Sequence, residues 1–334
     1  MRILVTGGAG YVGSHTVRRL LEAGHDVWVY DSLVTGHAES VPADRLICGN
    51  LHDGALLRRV FRDRRIESVV HFAAHCYVGE SVTDPAKYYR NNVGGTLELL
   101  DAMRETGARH VVFSSTCATY GIPLQVPITE DEPQKPINPY GFTKLAIERA
   151  LADYSNAYGL RFAALRYFNA AGASPSGDIG EHHDPETHLI PLVLQVALGI
   201  RPQIDVYGTD YPTSDGTCIR DYIHVDDLAE AHILALEKLT TGSPLSTLDS
   251  QLFCNVGVGR GYSVREVIEL ARRITGRPIP VREAPRRPGD PPVLVASAER
   301  ICRELGWQPR YTTLEPILET AWRWHLQHPR GYTS

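Results

Sequence analysis

A phenol and an ammonium stand four residues apart in the segment Asn138-Pro139-Tyr140-Gly141-Phe142-Thr143-Lys144. Pro139 suits the first turn of a helix, and Leu145, Ala146 and Ile147 carry the helix on, so Tyr140 and Lys144 share one helix face. A phenol ordinarily titrates near ~10, too high for a base at neutral pH. A nearby fixed cation favours phenolate, each tenfold gain in the ionised fraction corresponding to roughly 1.4 kcal/mol. Such a tyrosine takes a proton from a hydroxyl, the step needed when the neighbouring C–H leaves as hydride. Tyr-x-x-x-Lys occurs by chance on many amphipathic helices. Its meaning rests on what lies upstream, including a strand-like segment that ends at Thr116.

The chain opens on an apolar run, Arg2 to Thr6, and turns at once into Gly7-Gly8-Ala9-Gly10-Tyr11-Val12-Gly13. A helical pattern follows through Val17, Leu20 and Leu21 and stops at Gly24; a second strand, Asp26 to Tyr30, ends in Asp31. Gly7 permits the tight turn, Gly10 lets backbone approach a pyrophosphate, and Gly13 allows close helix–strand packing, with the phosphates at the helix N-terminus. Asp31 is placed to accept from a ribose 2′-hydroxyl and would repel a 2′-phosphate, so NAD is expected rather than NADP.

These residues need a frame. Strand candidates at 2–6, 26–30, 45–48, 68–74, 110–115 and 162–167 alternate with helical stretches at 14–23, 54–63, 84–105 and 140–158. That alternation calls for an α/β, Rossmann-type doubly wound parallel sheet. After Asn169 the texture turns to Gly, Pro, Ser and His. We expect an NAD-binding domain over 1–169 and a smaller α+β substrate-binding domain over 170–334, with segments such as Asp221 to Leu228 returning to the first. Ligands bind beyond the carboxyl ends of such strands, where Gly7, Asp31, Phe72-Ala73-Ala74, Ser114 to Thr116 and Asn169 would converge. With 334 residues, 43% apolar and 22% charged, and a formal charge of −5, the chain reads as globular, with no basic run suited to nucleic acid and no apolar stretch of bilayer length. Six cysteines show no C-x-x-C spacing, and a strand beginning at residue 2 leaves no room for a secretory leader. A cytoplasmic location is the expectation.

The chain resembles the extended short-chain dehydrogenase/reductase family, and within it the branch that epimerises UDP-hexoses at C4. The motifs span nearly its whole length: GGAGYVGSH, VGESV-x-x-P-x-x-YY-x-NNV-x-GT from Val78, SS-x-x-x-x-YG at 114–121 and NPYG-x-x-K. LRYFN-x-xGA at 165–173, YPT-x-DGT-x-x-RDYIHV-x-DLA at 211–229 and APRR-x-GD at 284–290 continue the series. The resemblance implies interconversion of UDP-glucose and UDP-galactose by transient NAD-dependent oxidation at C4, rotation of the 4-ketose and hydride return to its other face. It makes Tyr140 the base, Lys144 the residue that holds the nicotinamide ribose and tunes the phenol, and Thr116 the hydroxyl bonded to the reacting oxygen. Around the cofactor it implies Tyr11, Val12, Ser32, Leu33, Thr35, Gly36, Asn50, Leu51, Cys76, Asn91, Ser114, Tyr167 and Phe168, beside the residues above. Around the sugar nucleotide it implies Asn169, His188, Leu189, Tyr207, Arg220, Arg287, Asp290 and Leu294, with Arg220 and Arg287 suited to a pyrophosphate. It further implies a homodimer formed by the helices near 84–105 and 140–158, for which Leu97, Leu100 and Leu151 offer apolar surface. The chain departs from the family pattern in carrying Thr116 for Ser, Asn50 for Asp, Cys76 for Lys and His188 for Asn. At Leu294, which influences whether a C2 acetamido group fits, it has neither a small residue nor a large aromatic one.

Other constellations point elsewhere or nowhere. Glu181-His182-His183-Asp184, with His188 behind, invites a metal reading, but adjacent histidines in a loop seldom converge on one ion, and no metal is expected. His71 and His75, four apart, would share a strand face as ordinary hydrogen-bonded histidines. Cys117 is expected to be a small buried neighbour. A 4,6-dehydratase would need an acid/base pair after Thr116, where Cys117 and Ala118 stand. No dedicated site for a carboxylated sugar is evident, which disfavours a decarboxylase. A non-catalytic NAD-binding scaffold would have no use for Tyr140, Lys144 and Thr116 together.

Overall fold

The computed structural model describes residues 1–241, 250–287 and 289–332. Its centre is a seven-stranded, wholly parallel sheet made of β1 (Arg2–Thr6), β2 (Asp26–Asp31), β3 (Leu46–Cys48), β4 (Ser68–His71), β5 (His110–Thr116), β6 (Arg161–Tyr167) and β10 (Gln251–Val256). The strand order β3-β2-β1-β4-β5-β6-β10 reverses direction between β1 and β4, and a crevice opens at that switch point. The expected fold class is what the chain adopts. The seventh strand, β10, went unrecognised in the sequence because its partner β6 lies far upstream and only the three-dimensional pairing of Val256 with Tyr167 reveals it.

Both sheet faces are covered, so the strands are continuously apolar. On one face α1 (Tyr11–Glu22) and α8 (Val225–Thr241) bury Val17, Leu20, Leu228 and Leu236 against Ile3, Val5 and Val112, and α10 (Glu299–Leu305) adds Ile301 to the same core. His15 and Asp226 join α1 to α8 at 2.8 Å. On the other face α2 (Gly54–Asp63), α5 (Gly95–Thr106) and α6 (Pro139–Tyr158) bury Leu57, Leu99, Leu100, Ile147 and Leu151 against Leu4, Val69, Val111 and Phe162. The helix expected over 84–105 is broken into α4 (Pro85–Tyr88), a π-helical turn (Tyr89–Gly94) and α5, and is preceded by α3 (Val78–Thr83). Asn138 caps α6 by accepting from the Gly141 amide at 2.8 Å, and Gly159, at φ +71°, ends it. Those two signals set the rotation at which Tyr140 and Lys144 face the sheet.

The second half contributes β7 (Asn169–Ala171), β9 (Ile219–His224), β11 (Gly261–Ser263) and β13 (Val293–Leu294) as one small sheet, and β8 (Ile204–Tyr207) with β12 (Val281–Ala284) as another. Helices α7 (Leu189–Ala197), α9 (Val264–Thr275) and α11 (Leu314–Gln327) close its core around Leu194, Val267, Leu270 and Leu318.

Candidate active site

Three loops at the carboxyl ends of β1, β2 and β4 form the first wall. Gly7 sits at φ +70°, and a Cβ there would lie 2.5 Å from the Ala73 nitrogen. A Cβ on Gly13 would strike the Gly7 carbonyl. The turn and the loop after β4 thus touch backbone to backbone, with the Phe72 and Ala73 amides both donating to the Thr6 carbonyl at 2.8 and 3.0 Å. Val12 and Gly13 lie in the first turn of α1, and the Tyr11 hydroxyl donates to the Gly172 carbonyl at 2.7 Å. Asp31 is buried at the end of β2, its two oxygens accepting from the Ala9 amide at 2.9 Å and the Leu33 amide at 2.8 Å. Leu33 is held at φ +58°, an unusual conformation for a branched residue, as the chain doubles back through Ser32, Thr35 and Gly36. Burial pushes the Asp31 carboxyl up, against the pull of those amides. Asn50 follows β3; its side-chain oxygen accepts from the His52 amide at 3.0 Å and keeps a lone pair, while Leu51 is buried beneath it.

The chemical wall is built by β5, β6 and α6. Tyr140, Lys144 and Thr116 are 9%, 3% and 7% exposed. Lys144 donates to the Ser114 carbonyl at 2.8 Å, and the Ser114 hydroxyl meets the Tyr167 hydroxyl at 2.8 Å. Burial draws the Lys144 ammonium down to about 8. For Tyr140, burial dominates and pushes the phenol up, reinforced by Tyr167 and Cys76 and opposed by a hydrogen bond with Thr116. The net direction is therefore upward, where the sequence led us to expect a phenol drawn down by Lys144. The ammonium is engaged by the β5 backbone through the Ser114 carbonyl, and desolvation is the largest influence on the phenol.

The remaining expected site residues fall at the same mouth or on the facing half. Cys76 is exposed at the rim, and the Asn91 amide donates to Asn92 at 3.0 Å. Phe168 packs with Cys117 and Tyr120, and Asn169 donates to the Asp221 carbonyl at 2.9 Å. Opposite them, Arg220 of β9 pairs with Asp290 and lies in register with Leu294 of β13. Arg287 stacks over the Tyr207 ring at 4.0 Å. Leu189 begins α7 directly after His188, whose side chain is 44% exposed.

Two positioning residues escaped the sequence reading. Glu148, one turn beyond Lys144, takes a two-pronged contact from Arg166 at 2.9 and 2.8 Å and a hydrogen bond from Ser115 at 2.5 Å. Asn92 ties the backbone of His75, through contacts of 2.8 and 3.0 Å, to the Thr143 hydroxyl of α6 at 3.2 Å. The spacing of Glu148 from Lys144 was the available signal. Among the weighed histidines, β4 ends at His71, so His75 does not share its strand face; His71 is instead clasped by Thr6 at 2.6 Å and Thr96 at 2.8 Å. The metal reading also changes. His182 stacks on His37, but His183 and His188 do converge, together with Glu181 and Glu186. Of the leucines expected to offer surface for pairing, Leu100 and Leu151 belong to the core beneath the helices, and only Leu97 is exposed.

The donors fit a dinucleotide: a glycine cradle that any Cβ would fill, a helix N-terminus, and a buried carboxylate at the end of the second strand. Residues 3–247 match the NAD dependent epimerase/dehydratase family. The UDP-glucose 4-epimerase of Halalkalibacterium halodurans is 54% identical over 334 residues, covering 100% of this chain and 98% of that one. A UDP-glucose 4-epimerase from Brucella ovis, solved in complex with NAD, superposes with a TM-score of 0.92 at 52% identity over 96% of this chain and 97% of that one. One from Bifidobacterium longum, in complex with NAD+ and UDP, does so with a TM-score of 0.93 at 38% identity over 99% and 100%. From the glycine turn through Tyr140 to the facing arginines, the chain belongs to the NAD dependent epimerase/dehydratase family, in the branch of the UDP-glucose 4-epimerases.

Proposed function

We propose that this chain interconverts UDP-glucose and UDP-galactose, with Tyr140 as the base. The observation that carries the reading is the dry cluster of Tyr140, Thr116 and Lys144 beside a dinucleotide cradle, in a chain about half identical to UDP-glucose 4-epimerases over its full length. When bound, NAD supplies a reversible hydride acceptor. Gly7, Gly10, Gly13 and the α1 N-terminus would take its phosphates, and Asp31 a ribose hydroxyl. Thr116 holds the reacting oxygen, and Tyr140 carries the C4 hydroxyl proton away and returns it. Contact with the Thr116 hydroxyl favours the ionised phenol, although burial keeps the net balance upward in the cofactor-free chain. Lys144, fixed by the Ser114 carbonyl, would hold the nicotinamide ribose.

Inversion requires the ketose to turn without leaving, so the diphosphate must be anchored. Arg220 and Arg287 are assigned that role, with Asp290 and Tyr207 holding their guanidinium groups before substrate arrives. Elimination of water is disfavoured: Cys117 is buried, with its thiol pushed up to about 12, and Ala118 carries no acid. In this reading residues 1–169 serve the cofactor and 170–334 the sugar nucleotide, with α8 and β10 returning to the first half. A homodimer is assigned to the exposed edge of the π-helical turn, α5 and α6, where Leu97, Tyr89 and Phe142 lie on the surface and the last two rings stand 6.2 Å apart. Among the described residues no helix is long and apolar enough to cross a membrane, and the working location is the cytoplasm.

The test is incubation with UDP-galactose and no added reductant, followed by NMR. UDP-glucose should accumulate toward equilibrium without net NADH. A 4-keto-6-deoxy sugar, or unchanged substrate, would reject the assignment.

A further inference from the structure

We propose that Glu181, His183, Glu186 and His188 form a binding site for one divalent transition ion of the zinc class, clamping the 181–188 loop at the rim of the crevice. Each of the four offers one ligand atom, and these atoms all lie within 4.8 Å of one another. The imidazole–carboxylate separations run from 2.9 Å for His188 and Glu186, through 3.1 Å for His188 and Glu181, to 3.3 and 3.5 Å for His183 with the two glutamates. Ligands bonded at about 2.0–2.2 Å in a tetrahedron stand roughly 3.3–3.6 Å apart, so little movement separates this arrangement from a coordination shell. Two imidazole nitrogens and two carboxylates suit a borderline ion and not magnesium or calcium, which prefer oxygen alone.

Charge and support favour the same reading. Both glutamate side chains are about 5–6% exposed, and two carboxylates this close need positive charge between them. One oxygen of Glu186 already meets the Thr187 and His188 amides at 2.7 and 2.8 Å and the His188 ring at 2.9 Å, which fixes the group and leaves its other oxygen facing His183 at 3.3 Å as the one for an ion. Carboxylates that ligate a metal are commonly held by hydrogen bonds in this way. Four protein ligands leave no open position, so the ion is structural and takes no part in hydride transfer. The loop it would fix meets the glycine turn, since the His183 ring stands edge-on to Tyr11 at 6.4 Å and to Tyr77 at 6.2 Å. An ion here would therefore hold His188 and the start of α7 at a set distance from the cofactor wall.

The alternative source of positive charge is a proton on each histidine, and the experiment separates the two. The full-length protein, stripped with a chelator, is titrated with zinc chloride by calorimetry and with cobalt chloride by visible absorption. The proposal expects one saturable equivalent, the intense bands of four-coordinate cobalt, and affinity at least about tenfold weaker in Glu186→Gln and in His183→Gln. His182→Gln, outside the four, should titrate as wild type, and circular dichroism should show each variant folded. Absence of a saturable equivalent, six-coordinate cobalt spectra, or unchanged affinity in both folded ligand variants would overturn it.

Discussion

Two arginine–carboxylate pairs, Arg166 with Glu148 and Arg220 with Asp290, are built differently. Arg166 and Glu148, beneath the chemical wall, are 5% and 2% exposed, and every guanidinium nitrogen of Arg166 donates, two to Glu148 and one to the Tyr120 hydroxyl at 2.9 Å. Arg220 and Asp290, on the wall assigned above to the sugar nucleotide, are 13% and 30% exposed. A pair this deeply buried is out of a ligand's reach; it ties β5, β6 and α6 together beneath Tyr140, Lys144 and Thr116. A pair with exposed edges can exchange one partner for a phosphate at modest cost. Burial, more than residue type, separates scaffold from recognition.

The largest expected effect breaks the first pair. Arg166→Met leaves Glu148 buried without its counter-charge and should cost about 3–5 kcal/mol in chemical denaturation. Arg220→Met should cost less, about 1–2 kcal/mol in the same measurement, because Asp290 keeps access to water, while weakening UDP binding roughly 10- to 100-fold. Equal losses of stability would erase the distinction between the walls.

Within the chemical wall, Tyr140→Phe keeps the ring and deletes the proton carrier. Turnover should fall at least ~100-fold while calorimetry shows nucleotide-sugar affinity largely kept. Wild-type turnover in this variant would remove Tyr140 from the mechanism.

Lys144 sharpens the comparison through pH. Its folded-state value is lowered from 10.5 to about 8, so between these limits the unfolded chain binds more protons and stability rises with pH. The contribution is complete above 10.5 and is lost as pH falls through 8. The cofactor-free wild type should therefore gain on Lys144→Met across that window, by at most about 3–4 kcal/mol. A difference in melting temperature that stays flat with pH would show the ammonium to be better solvated than its burial implies.

The smallest effect lies on the nucleotide wall. Leu294 sits beside Arg220, and its branched end should disfavour a C2 acetamido group. Leu294→Ala should raise the kcat/KM ratio of N-acetylated to plain UDP-hexoses and Leu294→Tyr should lower it, each by about 1–2 kcal/mol. An unmoved ratio would place Leu294 away from the C2 substituent.

Much of this was legible in the chain because the relevant signals are local. The glycine turn, Asp31 at a strand end, and Pro139 with the four-residue spacing of Tyr140 and Lys144 each follow from backbone geometry over a few residues. What was missed depends on distant partners. Leu100 and Leu151 are as apolar as Leu97, and only packing against the sheet separates them. Asn92 and Glu148 read as ordinary polar residues until the groups they hold, 17 to 51 positions away, are brought beside them.

The sequence by itself determined the alternating architecture and the cofactor class, and it singled out Tyr140, Lys144 and Thr116 as the candidates for moving a proton, because periodicity and short motifs encode them directly. Tertiary structure alone decided the seventh strand, the saturation of Glu148, the convergence of His183 with His188, and the protonation balance of Tyr140. Those properties arise from desolvation and from contacts between segments far apart in the chain, and no spacing within one segment reports how much water a side chain has lost.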